Sequence, residues 1–340
     1  MRFKSLAGGL TGLAFLAALL PQGVLAASPD LVFVLNSGEA NIQILDGRSR
    51  EEIRRIPVLR EVHHLTLTPD RSQILVGDSG GNEMLFLDPA TGSVLRRERI
   101  SNPYHLAFTP DGKRLVVTSL RRDQVDIYGW DGQALSLQGR LRVGDMPSHL
   151  AYSPDSRFAY VTLQGERSIA AVDLERREVA WTQEVGRDPA GIHWHDGKLL
   201  VGAMGQDFVS VVDPATHAVE RRITVGRGAH QIFPSPDNSV IYVTSRVDSR
   251  ITALDPKDLS VKRVYDTPGG PDDITFDPQG RLWTTLRWVA KVGVLDPATG
   301  EMQTLRAGRS PHGILYRTAD PALAQDGHAG DGRAAPAQPR

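Results

Sequence analysis

Residues 147–173 read Pro-Ser-His-Leu-Ala-Tyr-Ser-Pro-Asp-Ser-Arg-Phe-Ala-Tyr-Val-Thr-Leu-Gln-Gly-Glu-Arg-Ser-Ile-Ala-Ala-Val-Asp, and this stretch carries the two marks that decide the fold. The first is Ser153-Pro154-Asp155. It recurs as Thr68-Pro69-Asp70, Thr109-Pro110-Asp111 and Ser235-Pro236-Asp237, with Asp277-Pro278-Gln279 and Trp194-His195-Asp196 as degraded copies. The second is an apolar run closing on aspartate, Ala171-Val172-Asp173. It recurs at Ile44-Leu45-Asp46, Phe86-Leu87-Asp88, Val211-Val212-Asp213, Ala253-Leu254-Asp255 and Val294-Leu295-Asp296, and Ile127-Tyr128-Gly129-Trp130-Asp131 fills the remaining slot. The aspartates step by about 42 residues, the signature of a repeat architecture, and mark out seven units.

Each unit follows one plan. A short apolar strand such as His105 to Phe108 leads into the Pro-Asp turn, where Pro fixes φ and a following Gly or Asn accepts positive φ. A second strand is rich in β-branched and aromatic residues, as in Phe158 to Thr162, Val240 to Thr244 and Leu282 to Thr285. A third ends at the aspartate. A turn such as Asp88 to Gly92 or Asp296 to Gly300 then leads to a charged fourth strand such as Val94 to Ile100. Short strands at this spacing, with no helical period between them, predict an all-β protein: a seven-bladed β-propeller with four antiparallel strands per blade. Leu31 to Asn36 matches the second strand of the plan and His312 to Arg317 matches the first. The two ends therefore predict a three-plus-one closure by N- and C-terminal strands, which leaves no open sheet edge.

The composition bounds the rest. The chain has 340 residues, of which 40% are hydrophobic and 23% charged, an ordinary globular balance. A net charge of −1 gives no general attraction to nucleic acid. Cysteine is absent, which excludes disulfides, thiolate metal sites and c-type haem attachment through CxxCH. Residues 1–26 read as a secretory signal: Arg2 and Lys4, the apolar Leu10 to Leu20, and Val24-Leu25-Ala26 before the expected cleavage. No other apolar run approaches about 18 residues, so no membrane span is expected in the mature chain. The expected organisation is a signal at 1–26, a propeller at 27–318 and a disordered tail at 319–340, with the product in the periplasm or secreted.

Tyr160-Val161-Thr162 and Tyr242-Val243-Thr244, with the Ser-Pro-Asp and Asp-Pro-Ala-Thr-Gly turns, resemble the YVTN family of β-propeller repeats over nearly all of the mature chain. The resemblance implies the fold and a mixed set of roles: periplasmic and surface-layer proteins, lactonase-like propellers, and propellers near haem d1 or quinone-dependent oxidation systems. Gly270-Pro271-Asp272-Asp273-Ile274, Arg281-Leu282-Trp283-Thr284 and Ser310-Pro311-His312-Gly313-Ile314 resemble blades of streptogramin (virginiamycin B) lyases. That likeness implies that His312 acts as a base beside a divalent metal. The preceding blade departs from it, with Asp272 in place of a second Pro-His and Leu286 where an acidic residue is usual.

In a propeller the first strand of each blade lines the channel, and its start shares a rim with the turn between the second and third strands. The starts are His63-His64, Tyr104-His105, Ser148-His149, Ala190-Gly191, His230-Gln231, Asp272-Asp273 and His312-Gly313. The turns bring Asn36, Asp78, Arg121, Gln164, Met204, Arg246 and Arg287. Six of the ten histidines thus gather at one mouth. Neutral imidazoles are metal ligands, which nominates His230 and His312. His312, Asp272 and Asp273 are the candidate catalytic groups. His64, His105, His149, Arg246 and Arg287 are candidate ligand-binding residues, the arginines suited to a carboxylate or phosphate. The competing reading is that each histidine fills a polar, β-compatible slot and bonds a neighbouring carbonyl or channel water.

Other residues read as scaffold. His193 and His195 flank Trp194 in a decayed repeat; His217 is expected to be solvent-exposed; Trp283 and Trp288 are expected to pack within blades. Arg96-Arg97, Arg176-Arg177 and Arg221-Arg222 are expected on outer edges, where charge discourages sheet pairing. There is no Walker loop, GxSxG or HExxH. The leading expectation is an exported binding module for a partner protein, a small molecule, a cofactor or a metal. The alternatives are a metal-dependent lyase or lactone hydrolase with His312 as base, and a carrier of metal or tetrapyrrole. The sequence leaves the cofactor open, with a divalent metal as the candidate.

Overall fold

The computed structural model describes Met1 and residues 29–320; all of the expected signal except Met1, and nearly all of the expected tail, lie outside the described residues. Seven four-stranded antiparallel sheets form the chain. Their inner strands are Val62–Leu67, His105–Phe108, Pro147–Tyr152, Pro189–His195, Ala229–Pro234 and Pro271–Phe276 for blades 1 to 6, and Pro311–Arg317 for blade 7. The last pairs with Leu31–Asn36, followed outward by Asn41–Asp46 and Glu52–Pro57, so the three-plus-one closure is present.

Burial explains the strand chemistry. Seven apolar clusters form, one between each pair of neighbouring blades, so inner and middle strands are covered on both faces. Between blades 6 and 7, Trp283, Val292 and Val294 meet Val32, Val34, Ile314 and Tyr316. The outermost strands, such as Val94–Arg99, are largely exposed and carry the charges.

The repeat marks prove to be turn chemistry. Thr68, Thr109, Ser153 and Ser235 donate their hydroxyls to Asp70, Asp111, Asp155 and Asp237 at 2.5–2.6 Å. The aspartates that end the third strands accept amides two and three residues on, as Asp88 does from Ala90 and Thr91. The ends are latched by buried Asp30, which accepts from the Tyr316 hydroxyl at 3.0 Å and the Ala319 amide at 2.7 Å.

Two expectations are corrected. Trp288 is 57% exposed, because it stands on a rim turn beside Gly270 and not inside a blade. His217 is half-buried and stacks on Trp181, ring centres 4.4 Å apart.

One local feature positions the functional side chains. In six of the seven blades, the inner-strand pairing shifts register at its mouth end, as between Pro147 and Leu150 or Pro271 and Ile274. Such an irregularity breaks the two-residue alternation. Threonine takes over the lost ladder bonds. The amides of His149, Gln231 and Asp273 donate to the hydroxyls of Thr162, Thr244 and Thr285 at 2.9–3.1 Å, and His105, in the blade without the shift, donates to Thr118 in the same way. Thr118, Thr244 and Thr285 in turn donate to the carbonyls of Ser148, Asp272 and His312 in the next blade. Where threonine is replaced by glycine, the next blade comes closer: a Cβ on Gly77 would lie 2.6 Å from the Pro103 carbonyl oxygen.

Thr285→Val tests this clasp. It leaves a buried amide and a buried carbonyl unpaired, so we expect a loss of about 1–3 kcal/mol in urea unfolding. A loss below about 0.5 kcal/mol, the size of a neutral surface change, would count against the clasp.

Candidate functional site

The register shift lets consecutive residues face the same opening. His63 and His64 are both buried, as are Asp272 and Asp273. With His105, His149, His230 and His312 they gather at one end of the channel, and each of the six histidines is at most 6% exposed. His64 sits at the centre, its ring 4.6 Å from His105, 4.9 Å from His149 and 4.6 Å from His312. His63 lies 4.8 Å from His312, and His230 5.4 Å from His149 and 5.9 Å from His312. All the nominated residues are therefore in one cluster. Blade 4 contributes none, since Ala190-Gly191 occupies its slot. A Cβ on Gly191 would press within 2.5 Å of the His230 carbonyl oxygen.

The two neighbouring aspartates have different surroundings. Asp272 is fully buried and receives Arg246 Nε at 2.7 Å, with a second contact from the same guanidinium, and Arg287 Nη1 at 3.1 Å. His230 Nδ1 lies 2.8 Å from it, at ion-pair distance but outside hydrogen-bond geometry. Burial raises the Asp272 carboxyl, but Arg246, with His312 and His230, outweighs it and holds the group well below the usual carboxylate range. Asp273 Oδ2 stands 3.7 Å from His64 Nδ1 and 4.0 Å from His312 Nδ1, and its Oδ1 has no hydrogen-bond partner. Burial pushes Asp273 well above the usual range, and the charge on Asp272 adds to this. Arg246 and Arg287 are thus engaged by Asp272.

The imidazoles are held neutral. Burial lowers His64 and His149 well below 6.5, and neighbouring imidazoles lower them further. Burial likewise holds His312 well below that value, against a raising pull from Asp272. His230 falls to about 4, through burial and Arg246. His63 Nδ1, His64 Nε2, His149 Nε2 and His312 Nδ1 have no hydrogen-bond partner among the described residues. Buried polar atoms in native proteins are normally paired, so several unpaired ring nitrogens gathered in one cluster are an exception that needs a reason.

One residue went unnoticed in the sequence. Glu61 contacts His63 Nε2 at 3.0 Å and pairs with Arg121, and its carboxyl falls to about 2 through the hydrogen bond from His63, against burial. Its position two residues before His63 was the available signal. Glu61, His63, Tyr104 and Arg121 help line a cavity of about 160 Å³ beside the cluster. His193 and His195 lie elsewhere: His193 is buried in blade 4, and His195 Nε2 is 2.6 Å from the Pro256 carbonyl oxygen.

Fold and site define a seven-bladed propeller with one buried, imidazole-rich axial mouth. The chain belongs to the YNCE-like β-propeller family, whose model matches residues 7–322. It is 23% identical to Protein NirF of Pseudomonas aeruginosa, over 89% of this chain and 84% of that one. Among solved structures it is similar to dihydro-heme d1 dehydrogenase NirN in complex with DHE, with a TM-score of 0.64, 18% identity, and coverage of 87% of this chain and 77% of that one. A functionally unknown protein from Desulfotomaculum acetoxidans gives a TM-score of 0.74 at 12% identity, covering 86% of this chain and all of that one. Both structures share the propeller fold. Among the described residues no helix is long and apolar enough to cross a membrane.

The protonation pattern has a measurable consequence. Imidazoles whose folded values lie below the ordinary 6.5 must charge when the protein unfolds. The unfolded chain therefore binds more protons as pH falls. Their contribution to stability is complete above about pH 6.5 and is lost as pH falls toward the folded values, about 4 for His230. Imidazole NMR should show His64, His149, His230 and His312 without midpoints between pH 6 and 7. Midpoints in that range would refute the buried neutral cluster.

Proposed function

We propose that this chain is an exported binding module that takes its ligand at the histidine-lined mouth, through direct coordination of a metal centre by imidazole. The observation that carries the reading is the set of buried, neutral, unpaired ring nitrogens gathered in one cluster. Neutral imidazole is a good donor for zinc, copper and iron. Export is supported by residues 1–26.

The likeness to NirN, whose structure holds DHE, favours one form of this ligand: a metallated tetrapyrrole. The donor set fits such a group, since unpaired imidazole nitrogens would hold it through its metal. The bound group would supply redox chemistry at its metal. The part of this chain is to hold and orient it, with His64, His149 and His312 offering nitrogen. The lack of cysteine means that any such group is held without thioether bonds. Catalysis with His312 as a base is less well supported. The ring is 1% exposed, and its two nitrogens face Asp272 and Asp273, an arrangement suited to holding a centre.

The test is uptake by the full chain, incubated separately with Zn²⁺ and with ferric haem and then desalted. Metal analysis and the Soret spectrum should show one equivalent of at least one probe retained. His312→Ala should lose it while keeping the β circular-dichroism spectrum. Retention of neither probe by the unaltered chain sinks the proposal.

A further inference from the structure

We propose that His64, Asp273 and His312 form a three-ligand seat for a single divalent transition-metal ion, and that Asp272 is the anchor of two arginines rather than a metal ligand. This rests on the reading of the mouth as a metal-binding site, and it takes the metal there as a bare ion, an occupant that excludes the tetrapyrrole because both would use His64 and His312. The three side chains come from blades 1, 6 and 7, so the seat spans the seam where the ring closes.

The geometry is close to what such an ion requires. One donor atom from each residue lies within 4.8 Å of the other two, and the Asp273 oxygen is 3.7 Å from His64 and 4.0 Å from His312. A tetrahedral ion with bonds of about 2.0–2.2 Å sets its donors about 3.4 Å apart, so small side-chain movements close the seat. His312 Nδ1, which faces Asp273 Oδ2, has no hydrogen-bond partner, so binding breaks no existing hydrogen bond at that nitrogen. Two imidazoles and one carboxylate suit zinc, copper, nickel or cobalt, and three protein ligands leave a fourth position open.

A second triplet, His230, Asp272 and His312, has similar spacing. It is the poorer seat. Both oxygens of Asp272 are engaged, Oδ1 by Arg246 and Oδ2 by Arg287. An ion there would have to displace the guanidiniums and then face two positive charges. Asp273 has no such claimants.

An ion in the preferred seat ties the closing blade to both of its neighbours, so binding should also raise the thermal midpoint. The experiment is calorimetric titration of the full chain with Zn²⁺, tetrahedral Co²⁺ absorption, and thermal unfolding with and without Zn²⁺. One ion per chain and a raised midpoint are expected. Asp273→Asn and His64→Gln should each weaken binding by more than the roughly 10–100-fold that loss of an outer-sphere partner costs a metal site. His230→Gln should change it less than about tenfold, within the lower end of that outer-sphere range. Circular dichroism selects the variants that fold, and either Asp273→Asn or His64→Gln suffices. Unaltered binding in Asp273→Asn, or a loss confined to His230→Gln, overturns the seat. A chain that retains ferric haem but neither Zn²⁺ nor Co²⁺ overturns the seat and leaves the mouth as the ligand site; one that retains none of them overturns both.

Discussion

The register break at the mouth end of the inner strands is the constraint on which the rest depends. A regular strand shows alternate residues to opposite faces, so it can offer the channel only every second side chain. Here the pairing skips, and His63 with His64, or Asp272 with Asp273, face one opening together. The skip removes ladder hydrogen bonds in a buried region, where an unpaired amide is costly. The threonine hydroxyl meets that cost by accepting from its own blade and donating to the next. The same atom therefore repairs the break, joins neighbouring blades and sets the height at which the functional side chains emerge.

This explains how much was legible in the sequence. The Tyr-Val-Thr run at residues 160–162 and 242–244 stood out as a repeat mark; its threonine accepts the inner-strand amide in both, and Thr244 also donates to the next blade. The Ser/Thr-Pro-Asp and strand-ending aspartates were equally legible, since each closes a turn through a local side-chain bond. Once blades were aligned, the gathering of His64, His105, His149, His230 and His312 followed from topology alone. The fate of residues outside the pattern did not. Trp288 looks like blade packing in composition, but its place on a rim turn beside Gly270 leaves it in solvent. His217 looks like a turn residue, but the outer face of Trp181 is within reach. Glu61 was overlooked because it precedes the strand in which the histidines were counted.

The imidazole cluster costs the fold stability. A buried polar atom without a partner costs about 1–3 kcal/mol, and several imidazole nitrogens here have none. Neutralisation keeps that cost tolerable, because a charged imidazole in the same place would cost far more. The seven apolar layers between blades supply the surplus. They are continuous around the ring, and the Asp30 latch to Tyr316 and Ala319 holds its ends.

The pair Asp272 and Asp273 shows why sequence position underdetermines chemistry. The two are adjacent, chemically identical and both buried, and the sequence nominated them for the same role. Their surroundings separate them. Asp272 faces Arg246 and Arg287, so it stays charged and is consumed as the counter-ion that fixes both guanidiniums. That charge then acts on its neighbour, and with burial it favours the protonated form of Asp273. One carboxylate thus organises the rim while the other is left without fixed partners among the imidazoles. Environments that push two like groups apart in this way divide labour between them. Here the division falls between an anchor that holds two guanidiniums in place and a carboxyl that no arginine claims.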